Sequence, residues 1–158
     1  MNKPLICPNC QAVIRKYSNP FPTADVVIYD QILGIVLVER GKEPFGLALP
    51  GGFIEEGESA EQAAIREMKE ESNLDVELLG ILGVYSKPDR DPRFHTMTIT
   101  YVGKARDVSL LNAGDDAAQA AFYKLDALPA TLCFDHNLAV EHFRDYLAAK
   151  RPLLPCAE

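Results

Sequence analysis

The stretch from Ser59 to Leu74 constrains this chain more than any other. Ser59 followed three residues later by Gln62 spells a capping box and predicts a helix opening there. Asn73, which tolerates the left-handed conformation, is a natural place for that helix to stop. At ~100° per residue, Glu67, Glu70 and Glu71 fall within about 100° of one another around the helix. Ala60, Ala63, Ala64 and Leu74 share that arc, whereas Gln62, Arg66, Lys69 and Asn73 take the side expected to face solvent. An ordinary amphipathic helix sets its glutamates opposite its alanines; here three acids lie on the small-residue face that should approach a sheet. Like charges at i, i+3 and i, i+4 repel by a few tenths of a kcal/mol per pair even when exposed. A hard divalent cation resolves the conflict, because it takes oxygen ligands and tolerates several carboxylates at once.

The rest of the chain supplies a sheet for this helix to meet. β-branched runs at Asp25–Tyr29 and Leu33–Glu39, a short apolar stretch at Leu47–Leu49, and further runs at Val76–Tyr85, Thr96–Lys104 and Ala120–Leu125 read as strands. Pro50-Gly51-Gly52 reads as a chain break before the helix. Asp135 is placed to cap a terminal helix with Leu138, Ala139, Phe143, Tyr146 and Leu147 as its apolar stripe. The order β-β-β-α-β-β-β-α predicts an α/β fold, an α/β/α sandwich with a mixed β-sheet between helices. Residues 1–22 read as an N-terminal extension, 23–150 as the functional domain and 151–158 as a C-terminal tail.

Composition narrows the function. The chain has 158 residues, 47% hydrophobic and 25% charged, with a formal net charge of −7. That is ordinary for a soluble domain, and the acidic balance argues against non-specific nucleic-acid binding and against an anionic membrane surface. The longest apolar runs are strand-sized, far short of the ~20 residues of a membrane helix, and the first residues lack the apolar core of a signal peptide. Four cysteines are too few for a disulfide scaffold. A cytoplasmic, reduced setting is expected.

From Gly52 onward the chain reads Gly52-x5-Glu58-x7-Arg66-Glu67-Met68-x-Glu70-Glu71-x-Asn73-Leu74. This resembles the Nudix box, G-x5-E-x7-R-E-U-x-E-E-x-G-U with U a bulky aliphatic residue; the one departure is Asn73 in place of the last glycine. Leu49-Pro50-Gly51-Gly52-Phe53 just upstream is also typical of the family. The resemblance implies the Nudix fold and Mg²⁺- or Mn²⁺-dependent hydrolysis of a nucleoside diphosphate linked to another moiety. It implies Glu67, Glu70 and Glu71 as metal ligands and Arg66 as the residue that orients the catalytic carboxylates. Glu58 would brace the loop–helix turn, while Gly51 and Gly52 would give the backbone room to approach a metal or phosphate.

The leaving group has to be sought elsewhere. The loop from Tyr85 to Thr96 gathers Lys87, Arg90, Arg93 and His95 in an otherwise acidic protein. Arginine forks suit phosphate oxygens, so Arg90 and Arg93 are candidates for substrate binding, with Asp89 and Asp91 as acceptors for ribose hydroxyls. The alternative is a solvated loop whose charges pair among themselves. The spelling Ser86-x3-Arg90-Asp91-Pro92-Arg93 resembles the loop of ADP-ribose pyrophosphatases within the Nudix group, as do Ala113–Ala118 before an aromatic strand and Leu132–His136. That resemblance implies a small-molecule nucleotide substrate, ADP-ribose, cleaved to AMP and ribose 5-phosphate. Asp115 or Asp116 would then supply a further ligand or the general base, Asp116 being the stronger candidate, against an ordinary turn role after Gly114. Tyr17, Phe21 and Phe94 are candidates for stacking on a base, and His136 and His142 are expected to be structural.

Cys7-x2-Cys10 has the spacing of half a zinc ribbon, with no second pair following. Zn²⁺ at Cys7 and Cys10 would need Cys133 and Cys156, or a second subunit, to complete it; two free thiols in a turn is the simpler reading. An extended N-terminal arm is compatible with exchange in a homodimer, as in several Nudix relatives. Against an ADP-ribose hydrolase stand two alternatives: a Nudix hydrolase for another conjugate (a nucleotide sugar, a dinucleoside polyphosphate or an oxidised nucleotide), and a Nudix-fold sensor that binds nucleotide without turnover. The complete glutamate set favours the enzyme.

Overall fold

The computed structural model describes residues 5–14, 19–114 and 117–156. In chain order its elements are β1 (Leu5–Ile6), β2 (Val13–Ile14), β3 (Phe21–Asp30), β4 (Gly34–Arg40), β5 (Leu47–Ala48), β6 (Gly51–Phe53), α1 (Ala60–Ser72), β7 (Val76–Tyr85), β8 (Thr96–Ala105), a short 3₁₀ turn at Val108–Leu110, β9 (Ala117–Tyr123) and α2 (His136–Leu147). The small hairpin β1–β2 stands apart from a seven-stranded mixed sheet. β3 is the branch point of that sheet. It runs parallel to β8 along Phe21–Ile28, pairs antiparallel with β6 through Thr23–Asp25, and pairs antiparallel with β4 at Tyr29 and Asp30.

Alternation along the strands builds two cores, one on each face. Ala24, Val26 and Ile28 point to one side, where they meet Ala63, Ala64 and Met68 of α1 and Tyr101 of β8. Val27, Ile35, Leu37 and Val102 point to the other, where they meet Ala139, Val140 and Phe143 of α2. β3 is covered on both faces, which is why its sequence is a near-continuous β-branched run. The result is the expected α/β/α sandwich.

α1 starts and stops where its sequence indicates. Ser59 accepts the Gln62 backbone N–H while the Gln62 side chain accepts the Ser59 N–H, so both halves of the box are made. Asn73 closes the helix with φ of 57°, donating its N–H to the Lys69 carbonyl.

Several expectations need correction. The third strand is two strands, β5 and β6, on either side of Pro50. Pro50 lacks an N–H, but its carbonyl accepts from Val26, so the chain crosses from β4 to β3 without losing the sheet. The last strand is Ala117–Tyr123 rather than Ala120–Leu125, because it pairs with β4 up to Ile35 and then turns at Lys124. In α2, Leu138 and Leu147 are 43% and 42% exposed; the buried stripe is His136, Ala139, Val140 and Phe143. Asp135 does mark the start of α2 but makes no capping hydrogen bond, its carboxylate being drawn to Arg90. The tail after residue 150 is docked: Leu154 exchanges backbone hydrogen bonds with Ile81 at the free edge of β7. Among the described residues no helix is long and apolar enough to cross a membrane.

Replacing Ser59 with Ala removes the side-chain acceptor at the head of α1. The variant is expected to lose about 1 kcal/mol of stability, read as a lowered midpoint in urea with an unchanged slope.

Candidate active site

Arg66 joins the loop after β6 to the helix that follows it. Its Nε donates to Glu58 Oε1 at 2.7 Å, and Nη2 donates to Glu58 Oε2 at 3.1 Å and to the Phe53 carbonyl at 3.0 Å. Nη1 donates to Glu67 Oε1 at 2.8 Å and to Glu70 Oε2 at 3.0 Å. Arg66 therefore does not lie on a solvent face. It turns back across the start of α1, and its fork holds Glu58 well below the usual carboxylate range. Glu70 is the outermost of the three helix acids, with 58% of its side chain exposed, against 15% for Glu67. Two carboxylates are thus turned inward rather than three.

Those two are left short of compensation. Burial pushes the Glu67 carboxyl up in spite of Arg66 beside it. Glu71, with the Gly51 N–H donating to its Oε2 at 2.9 Å, is pushed up to about 7, mainly by burial. The glycines admit this packing. A Cβ on Gly52 would come within 2.3 Å of the Glu67 carboxylate, and one on Gly51 within 2.4 Å of the Ala24 carbonyl.

Across a cavity of about 460 Å³ stands a basic wall of Arg40, Arg90 and Arg93, with Phe134 at its rim and Asp25 and His136 also lining the space. The Arg40 and Arg93 guanidinium carbons lie 4.9 and 5.4 Å from the centre of the Phe134 ring. Arg93 is further held by Asp91, through Nη2 at 2.9 Å and Nε at 3.1 Å. Arg90 departs from its expected role. Only 4% of its side chain is exposed; it forks onto Asp135, with Nη2 to Oδ1 at 2.6 Å, and its Nη1 donates to Thr96 at 2.9 Å and to Thr98. Its hydrogen bonds are spent inside the protein, so Arg90 joins the 86–95 loop to α2 and β8. Asp91 is taken by Arg93, and Asp89 pairs with Lys87 at the surface, which leaves neither in the role of ribose acceptor.

Other expectations fall in different places. Phe21 and Phe94 meet Phe53 edge-on, with ring centres 5.4–6.4 Å apart, in an open apolar hollow beside the main cavity. His142 sits against the Tyr85 hydroxyl at 2.9 Å on the α2 side. Cys7 and Cys10 lie in a tight turn closed by the Gln11 N–H on the Cys7 carbonyl. Cys133 packs on Val38 and Ala48, and Cys156 on the α1-side core, so the four cysteines, all free thiols, are not gathered into one site. Asp115, Asp116 and Tyr17 lie outside the described residues.

Sequence reasoning missed Asp25, Arg40, Phe134 and His136. One signal was present for Asp25, a charge interrupting the buried run Ala24–Ile28. Phe134 carries a positive φ of 58°, a conformation uncommon in a large residue, and nothing in the local sequence announces it.

Comparison with known proteins agrees with this geometry. The NUDIX domain model matches residues 19–143. An ADP-ribose pyrophosphatase of Methanocaldococcus jannaschii is 43% identical over 140 residues, covering 86% of this chain and 78% of its own. A putative 8-oxo-dGTP diphosphatase of Bacillus subtilis is 42% identical over 122 residues, covering 77% of this chain and 78% of its own. Among solved structures, the NUDIX domain of Shewanella oneidensis NrtR complexed with ADP ribose superposes with a TM-score of 0.71 at 27% identity, covering 83% of this chain and 90% of that one. Nudix hydrolases generally use divalent metal cations. The chain belongs to the Nudix family, and it is a hydrolase of that family.

Proposed function

We propose that this protein is a cation-dependent pyrophosphohydrolase that cleaves ADP-ribose to AMP and ribose 5-phosphate. The observation that carries the reading is one cavity lined both by the acids of α1, Glu67 and Glu71 half-buried among them, and by the arginines Arg40, Arg90 and Arg93. The names of the M. jannaschii and S. oneidensis proteins support the choice of ADP-ribose.

The donor chemistry fits Mg²⁺ or Mn²⁺. All the candidates are hard oxygens, and burial leaves Glu67 and Glu71 without full compensation for their charge. Among the described residues no three acidic, histidine or cysteine side chains converge as a finished cage, because Arg66 draws Glu67 and Glu70 to itself. Glu67, Glu70 and Glu71 would hold the ion, which supplies charge neutralisation at the diphosphate and polarisation of water. Arg66 sets the spacing of Glu67 and Glu70 and ties both to the loop through Glu58. Arg40 gives Nε and Nη2 to the Pro44 and Glu43 carbonyls and Arg93 gives the same two nitrogens to Asp91, so each, its face steadied by Phe134, would meet phosphate oxygens through Nη1. Water adds to one phosphorus, the anhydride P–O bond breaks, and its electron pair leaves with the departing phosphate. Asp116 stays a candidate for the proton acceptor.

A screen of nucleoside diphosphate conjugates and nucleoside triphosphates with Mg²⁺ and with Mn²⁺, products identified by mass, is expected to give ADP-ribose the highest kcat/KM. Preference for another conjugate would reassign the substrate; no hydrolysis of any would support the sensor. Glu71→Gln should fold normally yet lose more turnover than the roughly 100-fold that removal of an outer-shell partner costs. The two loop arginines should separate. Arg93→Ala is expected to raise KM for ADP-ribose about tenfold, the worth of one charge-assisted hydrogen bond, and to cost stability as well, since it strands the buried Asp91 carboxylate. Arg90→Ala is expected to lower stability by about 3 kcal/mol in denaturant titration, since it strands the Asp135 carboxylate.

A further inference from the structure

β3 has both faces covered, so an ionisable residue in its middle needs a physical account. Asp25 is 7% exposed, flanked in the sheet by Gly51 of β6 and Thr100 of β8. Its Oδ2 lies 3.2 Å from Nε2 of His136, which is 3% exposed at the first position of α2. The other ring nitrogen, Nδ1, accepts the Leu49 backbone N–H at 2.9 Å. That donor decides the tautomer. With the Nδ1 lone pair engaged, the ring proton belongs on Nε2, the nitrogen that faces Asp25. Three segments far apart in sequence thus combine to hold one carboxylate in one orientation.

The orientation has a consequence at Oδ1. This oxygen has no hydrogen-bond partner among the described residues, while Asp25 lines the cavity. A Cβ on Gly51 would come within 2.3 Å of it. The N–H of the same glycine is given to Glu71, so the buried Asp25 and the half-buried Glu71 are two carboxylates on either side of one glycine backbone. With Oδ2 turned to His136, Oδ1 is left open to the cavity, where a cation or a donor can meet it.

We propose that Asp25 is a further carboxylate of the divalent-cation site, contributed by the sheet rather than by α1, and that His136 is the residue that positions it. The proposal rests on the cation dependence argued above, but not on which nucleotide is hydrolysed.

The test is Mn²⁺ affinity without nucleotide, from the electron paramagnetic resonance signal of free Mn²⁺, with circular dichroism and thermal melts as fold controls. Asp25→Asn keeps the shape and removes the charge, and is expected to weaken Mn²⁺ binding by about 10-fold or more. His136 is dissected by two amides. Gln can place an N–H near the Nε2 position and preserve donation to Asp25, whereas Asn places its oxygen near the Nδ1 position and abandons Asp25. His136→Asn is expected to weaken Mn²⁺ binding and lower kcat, and His136→Gln to recover most of both. A merely structural histidine would not order the two amides in this way. A folded Asp25→Asn with wild-type Mn²⁺ affinity overturns the proposal, as do equal affinities for the two His136 variants; should Asp25→Asn not fold, the His136 pair decides. A wild-type chain that binds no Mn²⁺ overturns both this proposal and the cation-dependent reading. Altered Mn²⁺ affinity in a protein that spares ADP-ribose would sustain the proposal and reject only the substrate.

Discussion

Acidic side chains packed against a buried strand are unstable neighbours, and the fork of Arg66 is what makes their company tolerable. One guanidinium spends its donors on Glu58, Glu67, Glu70 and the Phe53 carbonyl. It thereby sews the loop after β6 to the second and third turns of α1. The planar fork matters, since a lysine is a point charge that cannot meet several carboxylates and a carbonyl in fixed directions. Glu71 lies beyond the reach of this arrangement. It has a backbone N–H instead of a guanidinium beside it, and burial pushes its pKa up to about 7.

The site is assembled from both layers of the sandwich. α1 rests on one face of the sheet and α2 on the other, yet the first residue of α2 reaches Asp25 and Leu49, and Asp135 just before it reaches Arg90. Each contact joins a residue of the second layer to the strand or loop that lines the cavity. The 86–95 loop is held by the same means, with Arg90 tied inward and Arg93 left to face the space. Phe134, in its strained backbone conformation, closes the group by seating two arginines against its ring. Strain of that kind persists only where surrounding contacts over-determine it.

Much of this was legible because it is local. The Ser59 box, the stop at Asn73 and the run of glutamates all lie within two turns of their partners, and helical geometry converts such spacing directly into neighbourhood. The two-faced strands were legible through their β-branched composition. Errors came where side chains choose between distant partners. Arg66 was placed outward by angle alone, whereas a long side chain can fold back over its own helix start. Arg90 and Arg93 are chemically alike and three residues apart, and only the position of Asp135 separates an internal tie from a residue facing the cavity.

The sequence by itself determined the helix that carries the acids, its two ends, and the glycines that let those acids approach the sheet. These follow from short-range sterics and hydrogen bonding. Tertiary structure decided which acids are turned inward, which carboxylate each arginine meets, and that Asp25 and His136 face each other beside the cavity. The physical reason is range. Desolvation and long-range pairing depend on what covers a side chain, and that cover comes from segments tens of residues away whose arrival no local pattern encodes.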